Sequence, residues 1–152
     1  FEIVGALEAH AVRRIVLQGG QILIRALQEA YDAQATALAQ ADLAAWSQAD
    51  FRFHELLREG ADNRRLRALF QQYSGQLQQV RAATLHLRRS PRRSLEEHGA
   101  LLAAIRSGDA ERALRIHLDH RSRSDAVMLA AIEALHAEVD RRMAERSADT
   151  GA

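Results

Sequence analysis

Ser94-Leu95-Glu96-Glu97-His98-Gly99-Ala100-Leu101-Leu102-Ala103-Ala104-Ile105-Arg106-Ser107-Gly108-Asp109 holds a start, a body and a stop for one helix. Ser94 and Glu97 fit a capping box, with Ser at N-cap and Glu at N3. Leu101, Leu102 and Ile105 then mark an apolar side. Ser107-Gly108-Asp109 stops this helix and restarts the next: Gly accepts the left-handed backbone beyond a helix end, and Asp caps the following one. The same sparse punctuation divides the rest of the chain.

Upstream, a first helix runs from near Glu2 to Leu17 with Ile3, Leu7, Ala11 and Ile15 as its stripe, and Gly19-Gly20 ends it. A second spans about Gln21 to Gln40, with Ile24, Leu27, Tyr31 and Leu38 facing the core. Asp42 caps a third, striped by Leu43, Trp46, Asp50, Phe53 and Leu57 and stopped at Gly60. Asp62 or Asn63 caps a fourth, whose seam is Leu66, Leu69, Tyr73, Leu77, Val80 and Thr84, ending near Leu87. Pro91 interrupts the basic turn Arg88 to Arg93 and cannot continue a helix. That turn reads as a solvated one rather than a nucleic-acid or membrane patch. A sixth helix runs from Ala110 to about Arg142, and residues 147–152 read as a frayed tail. No alternating strand pattern appears, so the expected fold is an all-α antiparallel bundle of about six helices, one domain over residues 1–146.

Composition narrows the chemistry. The chain has 152 residues, enough for one core and too few for a second full domain. Lys+Arg is 21 against Asp+Glu 20, so bulk charge gives no reason to bind nucleic acid. Every basic residue is Arg, which excludes a P-loop lysine and a Schiff-base lysine. The chain has no Cys, which excludes disulfides, iron–sulfur clusters and thiolate zinc sites. No apolar run reaches the length of a membrane span, so a soluble, cytoplasmic protein is expected. The chain opens on Phe rather than Met, as a processed or excised piece would.

Several polar residues fall on apolar stripes. Asp50 and His54 are four apart, on one face of the third helix. That spacing serves two ligands of one metal ion, and equally an ordinary hydrogen bond. His98 sits one turn above Leu101 and Leu102. His117 and His120 share a stripe with Ala113, Ser124, Val127 and Ala131. Inward Asp and His on three helices of one bundle are how such folds build metal sites. Nitrogen and carboxylate ligands without sulfur suit Zn²⁺ foremost, with Ni²⁺, Mn²⁺ or Fe²⁺ also served. His10, His86 and His136 read as surface residues.

Asp50-Phe51-Arg52-Phe53-His54, Ala61-Asp62-Asn63-Arg64-Arg65-Leu66, and the run from Glu97-His98 through Gly108-Asp109 to His120 together resemble a known pattern. They look like the effector-binding C-terminal (FCD) domain of FadR-type GntR transcription regulators, in its VanR-like, six-helix branch. Leu7 to Arg13 fits that domain's first helix. The resemblance covers nearly the whole chain, and its motifs D-x-x-F-H and E-H-x-x-L-x-x-A-I-x-x-G-D are specific in combination. It implies a divalent metal held by Asp50, His54, His98 and His120, with His117 second in rank to His120. It implies a small carboxylate effector, a homodimer, and DNA contacted only through an N-terminal winged helix-turn-helix domain not in this chain. Many members carry an Arg four residues before the residue matching Glu8, where this chain has Val4. Arg81, facing inward beside Val80 and Thr84, is the expected replacement for holding the effector, Thr84 is an expected effector contact beside it, and Ser94 matches a hydroxyl that reaches the pocket in relatives. The rival readings are a metal-dependent enzyme acting on a small organic acid, and a structural bundle. No spare carboxylate lies one turn either side of a His ligand, which disfavours the enzyme.

Overall fold

The computed structural model describes residues 1–18, 20–84 and 91–150, omitting the side chains of residues 81, 82, 145 and 147–150. Six helices follow one another: α1 Glu2–Gln18, α2 Gln21–Ala39, α3 Leu43–Glu59, α4 Arg64–Ala83, α5 Arg92–Arg106 and α6 Ala110–Thr150. The described residues contain no strand, so the expected all-α bundle of six helices is what forms.

The turns work as their residues dictate. Beyond α5, the Asp109 N–H donates to Ala104 O (3.1 Å) and the Gly108 N–H to Ile105 O (3.2 Å). With Gly108 at φ 73 this is a Schellman end. Asp109 then accepts from the Arg112 N–H at 3.0 Å and starts α6. The α2–α3 turn repeats the device with Ala41 in the Gly position, at φ 56. There the Asp42 N–H reaches Ala37 O at 2.9 Å. Asp42 also accepts from the Ala45 N–H at 2.9 Å. Asn63 caps α4, taking the Arg65 and Leu66 N–H groups at 3.1 Å each.

One start differs from expectation. Helix α5 begins at Arg92, two residues before Ser94, with Pro91 at its N-cap. The Leu95 N–H already donates to Pro91 O at 3.0 Å. Pro91 lacks an N–H and its φ of −77 suits a helix start, so it outcompetes the Ser94 capping box. Ser94 and Glu97 are thereby released to face α6. Helix α6 also runs past Arg142 to Thr150, because no Gly or Pro interrupts it before Gly151. The expected end of α4 near Leu87, His86 and most of the basic turn lie outside the described residues.

The main core joins Val12 and Ile15 of α1, Leu27 of α2, Phe53, Leu56 and Leu57 of α3, Leu101, Leu102 and Ile105 of α5, and Ala113 of α6. A second cluster unites Val4, Ala11, Ala61, Leu66, Phe70 and Leu77. Burial of these side chains is the dominant stabilising term, at about 1.5–3 kcal/mol for each large one. Single residues depart from the expected stripes: Ile3, Leu43, Leu69 and Val127 are exposed, and Val4, Phe70 and Met128 are buried beside three of them, while Trp46, Asp50, Phe53 and Leu57 of α3 are buried as expected. Arg14 Nε donates to Ala61 O at 2.7 Å and ties α1 to the α3–α4 turn.

Candidate functional site

The polar core lies where α1, α3, α5 and α6 meet. Asp50 and His54 point inward from α3, His98 from α5, and His117 and His120 from α6, all at most 3% exposed. One nitrogen each of His54, His98 and His120 lies within 4.8 Å of the others, so these three could hold a metal ion. The His98 and His120 Nε2 atoms are 3.3 Å apart. Asp50 Oδ1 lies 3.9 Å from His98 Nε2, at the rim of the same cluster. Phe53 stacks on the His98 ring, with centroids 4.4 Å apart and planes at 17°. That contact fixes the imidazole plane from within the same hydrophobic core.

The far nitrogens are engaged. His98 Nδ1 lies 2.8 Å from Oε1 of the buried Gln34, on α2. His120 Nδ1 lies 2.7 Å from Glu97 Oε2. Arg123 Nε donates to Glu97 Oε1 at 2.9 Å, and Arg123 Nη2 also grips Oε2. Partial burial opposes the Glu97 charge, but the hydrogen bonds from His120 and Arg123 outweigh it and hold this carboxyl well below the usual range. Such a carboxylate has no proton to give, so Nδ1 of His120 is the donor, which leaves a lone pair on Nε2 in the neutral ring. Gln34 Oε1 likewise accepts from His98 Nδ1. The two Nε2 atoms face each other at 3.3 Å in the protein interior, close enough to share a proton or an ion. Ligand nitrogens about 2.0–2.1 Å from one zinc ion sit roughly 3–3.4 Å apart, so this spacing fits a shared ion.

Behind His54 lies an ionic cluster. Glu8 on α1 is fully buried and accepts from Arg58 Nη1 at 2.9 Å. Its other oxygen is 3.7 Å from His54 Nδ1, 3.6 Å from His117 Nε2 and 3.6 Å from Arg121 Nε. Arg121 Nη2 pairs with Asp125 at 2.8 Å. Burial works against the Glu8 charge, yet His54, Arg121 and His117 hold its carboxyl well below the usual range. Burial drives His117 the other way, down to about 4, with Glu8 opposing and His120 and Arg121 adding to the shift. Neither His117 ring nitrogen has a hydrogen-bond partner among the described residues. His117 thus faces Glu8, apart from the trio of His54, His98 and His120.

The expected effector residues fall as follows. Thr84 is buried, and its hydroxyl donates to Val80 O at 2.8 Å. Ser94 Oγ accepts from Arg123 Nη2 at 3.3 Å instead of capping α5. The Arg81 side chain lies outside the described residues. His10 and His136 are exposed. The carboxylates that matter do not lie on the face one turn either side of the His whose ring they meet. Glu97 immediately precedes His98 but points to α6, and Glu8 comes from another helix. Gln34, Arg58 and Arg121 were missed because nothing in their own helices marks them as buried.

None of the described helices is long and apolar enough to cross a membrane. No curated protein matches the chain. Residues 1–123, from the start of α1 to Arg123 and including every residue of the histidine cluster, match the family model of the FCD domain. The chain belongs to the FCD family of ligand-sensing, effector-binding regulatory domains.

Proposed function

We propose that this chain is the sensing domain of a dimeric GntR-type transcription regulator, of the VanR-like branch. It binds a divalent ion, zinc foremost, through Asp50, His54, His98 and His120. The observation that carries this reading is the convergence of one nitrogen each from the buried His54, His98 and His120 within 4.8 Å, with the Nε2 atoms of His98 and His120 3.3 Å apart and their opposite ring nitrogens engaged. Burying imidazole nitrogens so close together is unfavourable unless a proton or a cation lies between them, and a third nitrogen converging on the same point favours the cation. The ion, when bound, supplies positive charge for a small organic acid. Ser94, Thr84 and Arg81 are the residues assigned to the rest of that effector.

The action is a population shift. An effector that contacts one dimer arrangement better than another favours it, and so changes how N-terminal winged helix-turn-helix domains meet DNA. No bond is made or broken in the effector. A metal hydrolase would need a free base beside the ion. Glu8 and Glu97, the carboxylates behind the histidines, are held as anions by Arg58 and Arg123, which makes them poor bases.

Elemental analysis of the purified domain, with His98→Ala beside it, tests the reading. Near one divalent ion per chain, lost in the variant, is the expected result, followed by a thermal-shift screen of carboxylic acids on the metal-loaded protein. No ion after reconstitution overturns the metal site and the sensing mechanism built on it.

A further inference from the structure

Each of the three clustered histidines has its second nitrogen facing a polar side chain on a different helix. His98 Nδ1 meets Gln34 of α2 at 2.8 Å, His120 Nδ1 meets Glu97 of α5 at 2.7 Å, and His54 Nδ1 faces Glu8 of α1 at 3.7 Å. These acceptors are themselves fixed. Glu97 is clamped by Arg123, Glu8 is held by Arg58, and Gln34 is fully buried. An imidazole has one proton to place when neutral, and the acceptor on one nitrogen decides which lone pair is left for the other.

We infer that Gln34, Glu97 and Glu8 are positioning residues that fix the three rings as Nδ1–H tautomers, aiming their Nε2 lone pairs at one point. They touch no ion and no effector. Their effect is to set ring orientation and basicity before anything binds, as outer-shell partners of metal-ligating histidines do. The three acceptors differ in charge: Gln34 is neutral, whereas Glu97 and Glu8 are anionic. The arrangement also brings α1 and α2, which carry none of the clustered histidines, into mechanical contact with the site.

Two measurements test this, and only one depends on the metal reading above. The first is imidazole ¹⁵N NMR of the metal-free protein above pH 7. Protonated Nδ1 and bare Nε2 are expected at both His98 and His120; an Nε2–H tautomer at either ring in the wild type overturns the proposal. The second is Co²⁺ affinity and its visible absorption spectrum. Gln34→Leu and Glu97→Leu are expected to weaken Co²⁺ binding roughly 10–100-fold and alter the spectrum. Glu97→Gln, which keeps an acceptor oxygen, restores most of the affinity. Folded variants that bind Co²⁺ as tightly as the wild type overturn the proposal. If Gln34→Leu fails to fold, the Glu97 pair carries the comparison at a less buried position. If the wild type takes up no Co²⁺, the metal reading fails and the NMR tautomers alone decide this one.

Discussion

His117 makes a pH-dependent stability prediction with a sign and a size. It is fully buried, has no hydrogen-bond partner on either ring nitrogen among the described residues, and titrates near 4 because burial disfavours its charged form. In the unfolded chain it titrates near its ordinary value of about 6.5. Above pH 6.5 both states are neutral there, and the residue contributes no pH dependence. Between pH 6.5 and 4 the unfolded chain holds a proton that the folded state refuses, so stability falls as pH falls. A window of about 2.5 units at about 1.4 kcal/mol per unit amounts to roughly 3 kcal/mol. For a chain of this size that is on the order of 6–12 °C in Tm. His117→Met keeps approximate volume and removes the titration. Urea unfolding of metal-free wild type and variant at pH 7.5, 6.5, 5.5 and 4.5 isolates the residue, because distant groups cancel in the difference and His54 and Arg121 still hold Glu8, its neighbour, as an anion. The variant is expected to be more stable at every pH, with its advantage widening as pH falls. A constant or shrinking advantage refutes the account of His117 as a neutral, unsatisfied core residue.

Glu8 and Glu97 act in a lower window. Both carboxyls are depressed, so the stability they give is present above about pH 4.5 and lost as pH falls below it; Glu97→Gln is expected to flatten the acid limb of a Tm-against-pH curve. Zn²⁺ at about 100 times its Kd is expected to add about 2.7 kcal/mol, or roughly 5–10 °C in a thermal melt, reversed by chelator and absent in His98→Ala. Ala41→Gly relieves a left-handed alanine and is expected to stabilise by about 0.5–1 kcal/mol, whereas Gly108→Ala, at φ 73, loses about 1 kcal/mol; chemical denaturation reads both. Phe53→Ala is expected to lose about 3–5 kcal/mol and to weaken metal binding beyond that of a distant core truncation, since Phe53 holds the His98 plane.

The helices and their turns were legible because their signals are local. Asp42, Asn63, Gly108 and Asp109 do in the structure what their types do anywhere. Where two local signals compete, the sequence is ambiguous: Ser94 and Pro91 both offer a start for α5, and the proline wins by its fixed φ and missing N–H. Helix faces were less legible. In α1, Ile3-Leu7-Ala11-Ile15 and Val4-Glu8-Ala11-Ile15 are both helical stripes, and apolarity favours the first. The structure buries the second, because Arg58 lies opposite Glu8 and makes its burial tolerable.

The same logic separates the histidines from their partners. A histidine on an apolar stripe is visible from its own helix, which is why His54, His98, His117 and His120 could all be named. A charged side chain enters a core only when its counter-charge is already there, and that counter-charge is a property of a different helix. Neither the buried Arg58 and Arg121 nor the half-buried Glu97 carries a local mark of burial; each is explained by a residue 23 or more positions away or by an ion pair along α6. His117 shows how the two kinds of information combine. Its stripe placed it in the core, but only Glu8, reached across the α1–α6 interface at 3.6 Å, separates it from the trio of His54, His98 and His120. One helical turn on α6 thus divides a residue facing the shared point from one facing an anion behind it. That division rests on the register of α1 against α6, which no single-helix pattern encodes.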